Sequence, residues 1–244
     1  MIVANLRERV TAADRDLALT LLADNGTVRR DECERMVAAE GPDRLLDEPA
    51  LFALLNRVPG LGAPSAALYL YVAVRHHLRG VGIDDATLSD YLGALVLEFG
   101  IRDQAHRITP MDDAVYAYLA DVVADLDGAD ERRGFLLRAH LGNFSLWMAG
   151  MFPDYIAARK ARKGGPDLEY YEALGAHGYR LAAEHRLARA CGLETLFERI
   201  AEAFAPVRVG LNRLSDAGLF PRASGPDRLL RQVTDQLRFG PADN

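Results

Sequence analysis

Lysine is nearly absent from this chain. Of 29 basic residues only two are lysines, Lys160 and Lys163, and the other 27 are arginine. The imbalance reads mainly as coding bias, although the planar guanidinium also suits bidentate contacts to anions. Cysteine is equally scarce, with Cys33 and Cys191 alone and far apart. Two cysteines without CxxC or CxxH spacing exclude a disulfide framework, so reduced, partly buried thiols are expected. Tryptophan occurs once, as Trp147. Long apolar runs are also missing. The longest, Ala63 to Val74, is shorter than the ~18 residues a membrane helix requires and stops at Arg75-His76-His77. The first ten residues, MIVANLRERV, hold no apolar stretch of signal-peptide length. A soluble, cytoplasmic protein without a membrane segment is expected.

The signature motifs of common chemistries are missing too. There is no GxGxxG or GxxxxGK[ST] for nucleotide phosphates, and no HExxH or GxSxG for hydrolysis. The Glu-x-x-His pair of di-iron bundles does not occur, and Asp103-x-x-His106 is a single copy in a polar link. No metal site is assigned, no cofactor is identified, and no catalytic residue is named. The formal net charge of -6 and pI of about 5.5 make nucleic acid an unlikely partner, since such binding relies on positive charge to displace counterions.

Helical periodicity, by contrast, runs through the whole chain. Thr11 with Asp14 reads as a helix start, Leu17, Leu21 and Leu22 form a stripe, and Asn25-Gly26 stops it. A second helix is expected from Thr27 to Gly41, and a third from Asp43 through Leu55. Three short helices joined by turns raise the idea of a helix-turn-helix. Residues 1 to 57, however, hold eight Arg against eleven Asp and Glu, so a structural helical cap is preferred over a DNA-binding regulator. Val58 to Pro64, VPGLGAP, is the expected boundary between this cap (1–57) and a main helical bundle (63–244). A strongly apolar helix then ends in Arg75-His76-His77, a triplet that suits a helix C-terminus and less well an anion or a metal. Further helices are expected at 84–99, 111–125, 167–190 and 226–237. One from Leu193 to Ser215 should kink at Pro206. No window alternates apolar and polar residues as a strand would. The fold class is therefore all-α, an irregular bundle of about nine to ten helices without a sheet.

Two features between Arg132 and His185 are candidates for function. In the first, His140, Asn143, Phe144 and Trp147 fall at i, i+3, i+4 and i+7 and share a helix face. Tyr171, Gly178 and His185 follow a stripe on a later helix, with His177 and Glu184 on an adjoining line. Gly175 and Gly178 allow another helix or a ligand to come close, against a helix-propensity cost of about 1 kcal/mol each. If the two helices faced each other, His140, Asn143, Phe144, Trp147, Tyr171, His177, Glu184 and His185 would line a pocket for a planar ligand or an acid/base pair. Core histidines and amides satisfied by tyrosines are the plainer reading. The second feature is the run Arg159, Lys160, Arg162 and Lys163 before Gly164-Gly165. Those cations suit the negative end of the helix dipole, and they also suit an acidic partner or a small anionic ligand. Met111 to Glu131 carries seven acids and no base, and Arg132 to Lys163 seven bases and one acid. Mutual attraction of neighbouring helices explains that pairing without a ligand.

Three functions follow from this pattern. The first is a helical binding, adaptor or regulatory protein with a protein partner on the basic turn. The second is a small-ligand binder or enzyme built on His140, Trp147, Tyr171 and His185. The third is a DNA-binding regulator using the N-terminal helices.

Overall fold

The computed structural model describes residues 2–24, 28–57, 64–100, 104–109, 113–219 and 226–239. Their regular structure is helical, with no strand among them, and the all-α class holds. Thirteen α-helices occur among them, more than the nine to ten expected, together with short 3₁₀ and π turns. The extra helices come from breaks inside segments whose periodicity reads as continuous. The described residues divide into two compact units. The Val58–Gly62 part of the expected boundary, with Ala63, lies outside the described residues.

One unit comprises Ile2–Arg79 and Asp84–Leu97. It contains α1 (Ala12–Asp24), α2 (Arg30–Glu40), α3 (Ala50–Arg57), α4 (Ala66–Arg79) and most of α5 (Ala86–Gly100). Thr11 and Asp14 form a reciprocal cap at the start of α1. The Thr11 N–H donates to Asp14 Oδ2 at 2.9 Å and the Asp14 N–H to Thr11 Oγ1 at 3.1 Å. The second carboxylate oxygen of Asp14 accepts from the Ser65 N–H at 2.9 Å, which ties α1 to the start of α4. Burial opposes ionisation of Asp14, but the hydrogen bonds from Ser65 and Thr11 outweigh it and hold the carboxyl below its usual range. The third expected helix is split. Pro42–Asp47 is a 3₁₀ turn and α3 begins only at Ala50, because Pro49 cannot continue a helix behind it. The fully buried Leu6, Leu22, Leu51, Leu68, Tyr71 and Leu92 form this unit's core.

The other unit comprises Gly80–Ile83 and Glu98–Asn244. Its helices are α6 (Leu119–Ala124), α7 (Glu131–Met151), α8 (Pro153–Lys163), α9 (Leu168–Ala183), α10 (Arg186–Ala190), α11 (Glu194–Glu202), α12 (Phe204–Leu214) and α13 (Pro226–Phe239). The helix expected over 111–125 begins only at Leu119. Tyr116 is instead held in a loop, its N–H donating to the His106 carbonyl at 2.8 Å and its hydroxyl to Asp125 at 2.5 Å. The helix expected over 167–190 ends at Ala183. The helix expected over 193–215 is also two, and Ala203 marks the break (φ -101°, ψ 23°). Pro206 then sits in the first turn of α12, where its missing N–H costs nothing.

α7 is the central element of this unit, and α9 lies directly against it. The contact is made through glycines. A Cβ at Gly178 would stand 2.9 Å from the Gly142 nitrogen and 3.0 Å from the Arg138 carbonyl oxygen, while one at Gly142 would lie 2.7 Å from the Tyr179 ring. The glycines of α9 thus admit another helix. α7 ends where Pro153 follows. Proline has no N–H to give the Ala149 carbonyl, its i−4 partner, and that carbonyl needs another donor. Asn212 of α12 supplies it, donating to Ala149 O at 2.8 Å and Gly150 O at 2.6 Å, and Ser215 Oγ donates to Met151 O at 2.8 Å.

α13 is amphipathic as expected, but with its charged side inward. Arg228 and Asp235 are buried, while Leu229, Leu230 and Val233 stand exposed. The inward side meets charges already present in the body. Arg208 of α12 reaches Asp235 at 2.9 Å and Glu172 at 2.7 Å, and Arg228 and Arg231 reach Asp216 at 2.9 and 3.0 Å. Buried charges of this kind require opposite partners, and that requirement sets the helix's orientation.

Candidate functional site

The residues singled out in the sequence fall into separate environments. His140, Phe144 and Trp147 do share a face of α7, and it is packed with rings. His140 lies parallel to Phe144 at 6.0 Å, with Phe99 and Tyr116 at 5.9 and 6.0 Å. Trp147 meets Phe99 edge-on at 6.0 Å and Phe152 at 5.4 Å, and His106 meets Phe144 at 5.6 Å. His140, Phe144 and Trp147 are all buried. Asn143 takes another direction, its Oδ1 accepting from the Tyr179 hydroxyl at 2.6 Å within the α7–α9 contact. Tyr171 is buried on α9 with Tyr170 edge-on at 6.1 Å, and burial raises its phenol above the ordinary range. His177 is exposed on α9.

Glu184 and His185 lie beyond the end of α9. The His185 ring caps α10, with Nδ1 accepting from the Leu187 N–H at 3.2 Å, and it stacks on Phe135 at 5.3 Å. The stripe that links His185 to Tyr171 in the sequence is therefore interrupted by a turn. His140 and His185 have different ring neighbours and are not brought together.

Two clefts open where His185 lies. The larger, of about 630 Å³, is lined by Thr109, Asp130–Arg132, Phe135, Leu136, Arg186, Leu187 and Cys191. The smaller, of about 380 Å³, is bounded by Leu126, Gly134, Arg138, Leu181, Glu184 and His185. Asp130 and Glu131 border both. Asp130 caps α7, its Oδ1 accepting from the Arg133 N–H at 2.8 Å. Glu131 and Arg186 form a bidentate ion pair across the rim. The hydrogen bond from Arg186, reinforced by its charge, holds the Glu131 carboxyl below its usual range. Of the sequence-derived candidates, only Glu184 and His185 line these clefts.

The basic turn has its own neighbourhood. α8 ends at Gly164 in the left-handed conformation (φ 63°), and the Gly164 N–H donates to Lys160 O at 3.0 Å. Arg159 lies over the Tyr118 ring at 4.7 Å, and Lys160 pairs with Asp167 at 3.0 Å. The Arg162 Nε donates to Ala158 O at 3.2 Å. Neither Arg162 nor Lys163 is ion-paired to a described residue. Tyr155, Arg159, Arg162 and Lys163 fall at i, i+4, i+7 and i+8 along α8 and form one stripe. Tyr118, Tyr155 and Tyr170 are exposed by 51, 54 and 42 %, large values for side chains that normally bury their rings. Tyr118 could not be found from sequence, because the loop before α6 brings it to Arg159 from far along the chain. Opposite charges of the acidic and basic segments meet at Asp125 and Arg133, 2.7 Å apart.

The other unit uses its conspicuous residues internally. Arg75 is buried against Asp47 at 2.7 Å, and His76 stacks on Phe52 at 4.2 Å. On α2 and nearby, Arg29 and Arg35 pair with Asp31, and Arg44 with Glu40 and Glu48. No group of three His, Cys, Asp or Glu side chains suited to a metal occurs among the described residues. Among them, no helix is long and apolar enough to cross a membrane. No family model, curated protein or solved structure matches the chain.

Proposed function

We propose that this chain is a helical binding or adaptor protein that docks an acidic segment of a protein partner on the α8 stripe. One observation carries the reading: α8 bears Arg159, Lys160, Arg162 and Lys163 towards its C-terminal end, Arg159 lies over the exposed Tyr118, the exposed Tyr155 shares the stripe, and the exposed Tyr170 stands in the first turn of α9, the next helix. Tyrosine and arginine are the residue types enriched at the centres of protein interfaces, because they offer large rigid contact area with a polar handle. Arg162 and Lys163 leave positive charge to be met from outside, and a carboxylate-bearing segment is its complement. The packed rings around His140 favour this reading over a ligand pocket on that face, and the paired arginines of α2 weigh against DNA recognition there.

The test is fluorescence anisotropy with a labelled glutamate-rich, tyrosine-containing peptide, measured at low and at raised salt. A single-stranded oligonucleotide of equal length serves as the alternative ligand. The wild type should bind the peptide, and the combined R162E and K163E substitutions should weaken binding about tenfold or more, as expected for two charge-assisted contacts. Unchanged affinity in that variant, or binding of the oligonucleotide alone, would sink the proposal.

A further inference from the structure

We infer that the larger cleft, between the first turns of α7 and α10, is a binding site for a small apolar carboxylate, an alkyl or aryl acid. This cleft is a different surface from the α8 stripe. Its volume of about 630 Å³ lies within the range of roughly 300–1,000 Å³ typical of small-molecule sites. Phe135, Leu136 and Leu187 supply walls that reward an apolar body. Phe135 is immobilised by its stack on His185, so that wall is formed before any ligand arrives.

The charges around the cleft decide which polar end fits. Two acids and two arginines border it, but they are not equally available. Asp130 is engaged by the Arg133 N–H, and Glu131 and Arg186 satisfy each other with two hydrogen bonds. Arg132 remains, exposed, with no carboxylate of a described residue within ion-pair distance. A guanidinium offers two parallel N–H donors, a geometry that matches the two oxygens of a carboxylate. Arg132 also lies in the first turn of α7, where the helix dipole adds to the attraction for an anion. A cationic ligand would find Glu131 taken by Arg186 and one oxygen of Asp130 taken by the Arg133 N–H. A purely polar one would leave Phe135, Leu136 and Leu187 in contact with poorly matched groups.

Cys191 makes the site measurable. It is exposed and lines the cleft, whereas Cys33 is buried elsewhere. A neutral thiol-reactive disulfide such as 4,4'-dithiodipyridine, which carries no carboxylate of its own, should therefore modify Cys191 first, and a C191S variant identifies its phase of the reaction. Decanoate, kept below its micellar concentration, should slow that phase in the native protein, and 1-decanol should do so far less. In R132E, protection should require about tenfold more decanoate, the fold-change of one charge-assisted contact. L187W, which fills the cleft from a half-buried position, should remove protection by decanoate. Absence of protection in the wild type overturns the site. Equal protection by decanol, or an unchanged decanoate dependence in R132E, overturns the carboxylate.

Discussion

Replacing Gly178 by alanine tests whether α7 and α9 meet through their backbones. In an exposed helix this change would stabilise, since alanine is favoured over glycine by about 1 kcal/mol. Here the new Cβ would stand 2.9 Å from the Gly142 nitrogen, 3.0 Å from the Arg138 carbonyl oxygen and 3.2 Å from Leu141 Cβ. Two of these three neighbours are backbone atoms of α7 and cannot turn aside as a side chain can. The helices must separate by a few tenths of an ångström along their whole contact. That loosens Tyr179, whose ring fills the space over Gly142 and whose hydroxyl holds Asn143. Overpacking of this kind costs about 1–3 kcal/mol, more than the propensity gain. A net loss centred on about 1 kcal/mol, and no larger than about 2 kcal/mol, is expected, or a fall in Tm of roughly 2–4 °C and at most about 8 °C for a protein of this size. Gly134→Ala is the matched control. Its Cβ would meet only the Arg138 guanidinium at 3.0 Å, the far end of a flexible side chain. That variant should be neutral or up to about 1 kcal/mol more stable. Urea or thermal unfolding followed by circular dichroism measures both. If Gly178→Ala is as stable as the wild type, or both variants lose equally, the reasoning about the helix contact is wrong.

Other perturbations have equally definite outcomes. Asn212→Ala removes the donors to Ala149 O and Gly150 O in a buried setting and should cost about 2–4 kcal/mol, seen as a lower urea midpoint with unchanged slope. Asp14→Asn should cost about 1 kcal/mol at neutral pH, the size of a lost helix cap. Because the folded carboxyl is held below its ordinary value of 3.8, its contribution is complete above that value and lost as pH falls through the lower folded value. The stability gap between wild type and variant should therefore close on acidification through that window, and a gap independent of pH would contradict it. Arg208→Met removes the cation that Glu172 pairs with and the nearer of the two at Asp235, leaving Arg231 at 3.9 Å, so α13 should become the first segment cut in limited proteolysis.

The helical class was readable because apolar residues recur at helical spacing along the chain and nothing alternates. The Thr11–Asp14 cap and the stop at Gly164 were readable for local reasons, since each involves groups a few residues apart. Pro49 marks the break before Ala50, although helical periodicity reads straight through it from Asp43 to Leu55, and Pro206, where a kink in one helix is expected, stands three residues after the break at Ala203. The turn at Glu184 had no such marker, so His185 was placed on a stripe that ends before it. Helical periodicity groups residues by direction around an axis, but it does not say which neighbour each direction meets. Asn143 and His140 illustrate this, one directed to Tyr179 and the other into rings. The cleft was less legible still. Phe135, Leu187 and Cys191 are ordinary helix and turn residues whose proximity depends on how α10 folds back on α7. α13 defeated the usual rule for amphipathic helices, because Arg208 and Asp216 supply charges that only a charged face can meet.

The broken end of α7 also constrains the order of events during synthesis. The Ala149 and Gly150 carbonyls take their donor from Asn212, which lies 63 and 62 positions further along the chain. While a ribosome is still adding those positions, α7 can form its turns but its last carbonyls have only water to accept from. The helix that the rest of its unit packs around is thus capped by one of the later parts of the chain to emerge. Truncation before Asn212 would leave that end open to solvent, however complete the residues of α7 themselves.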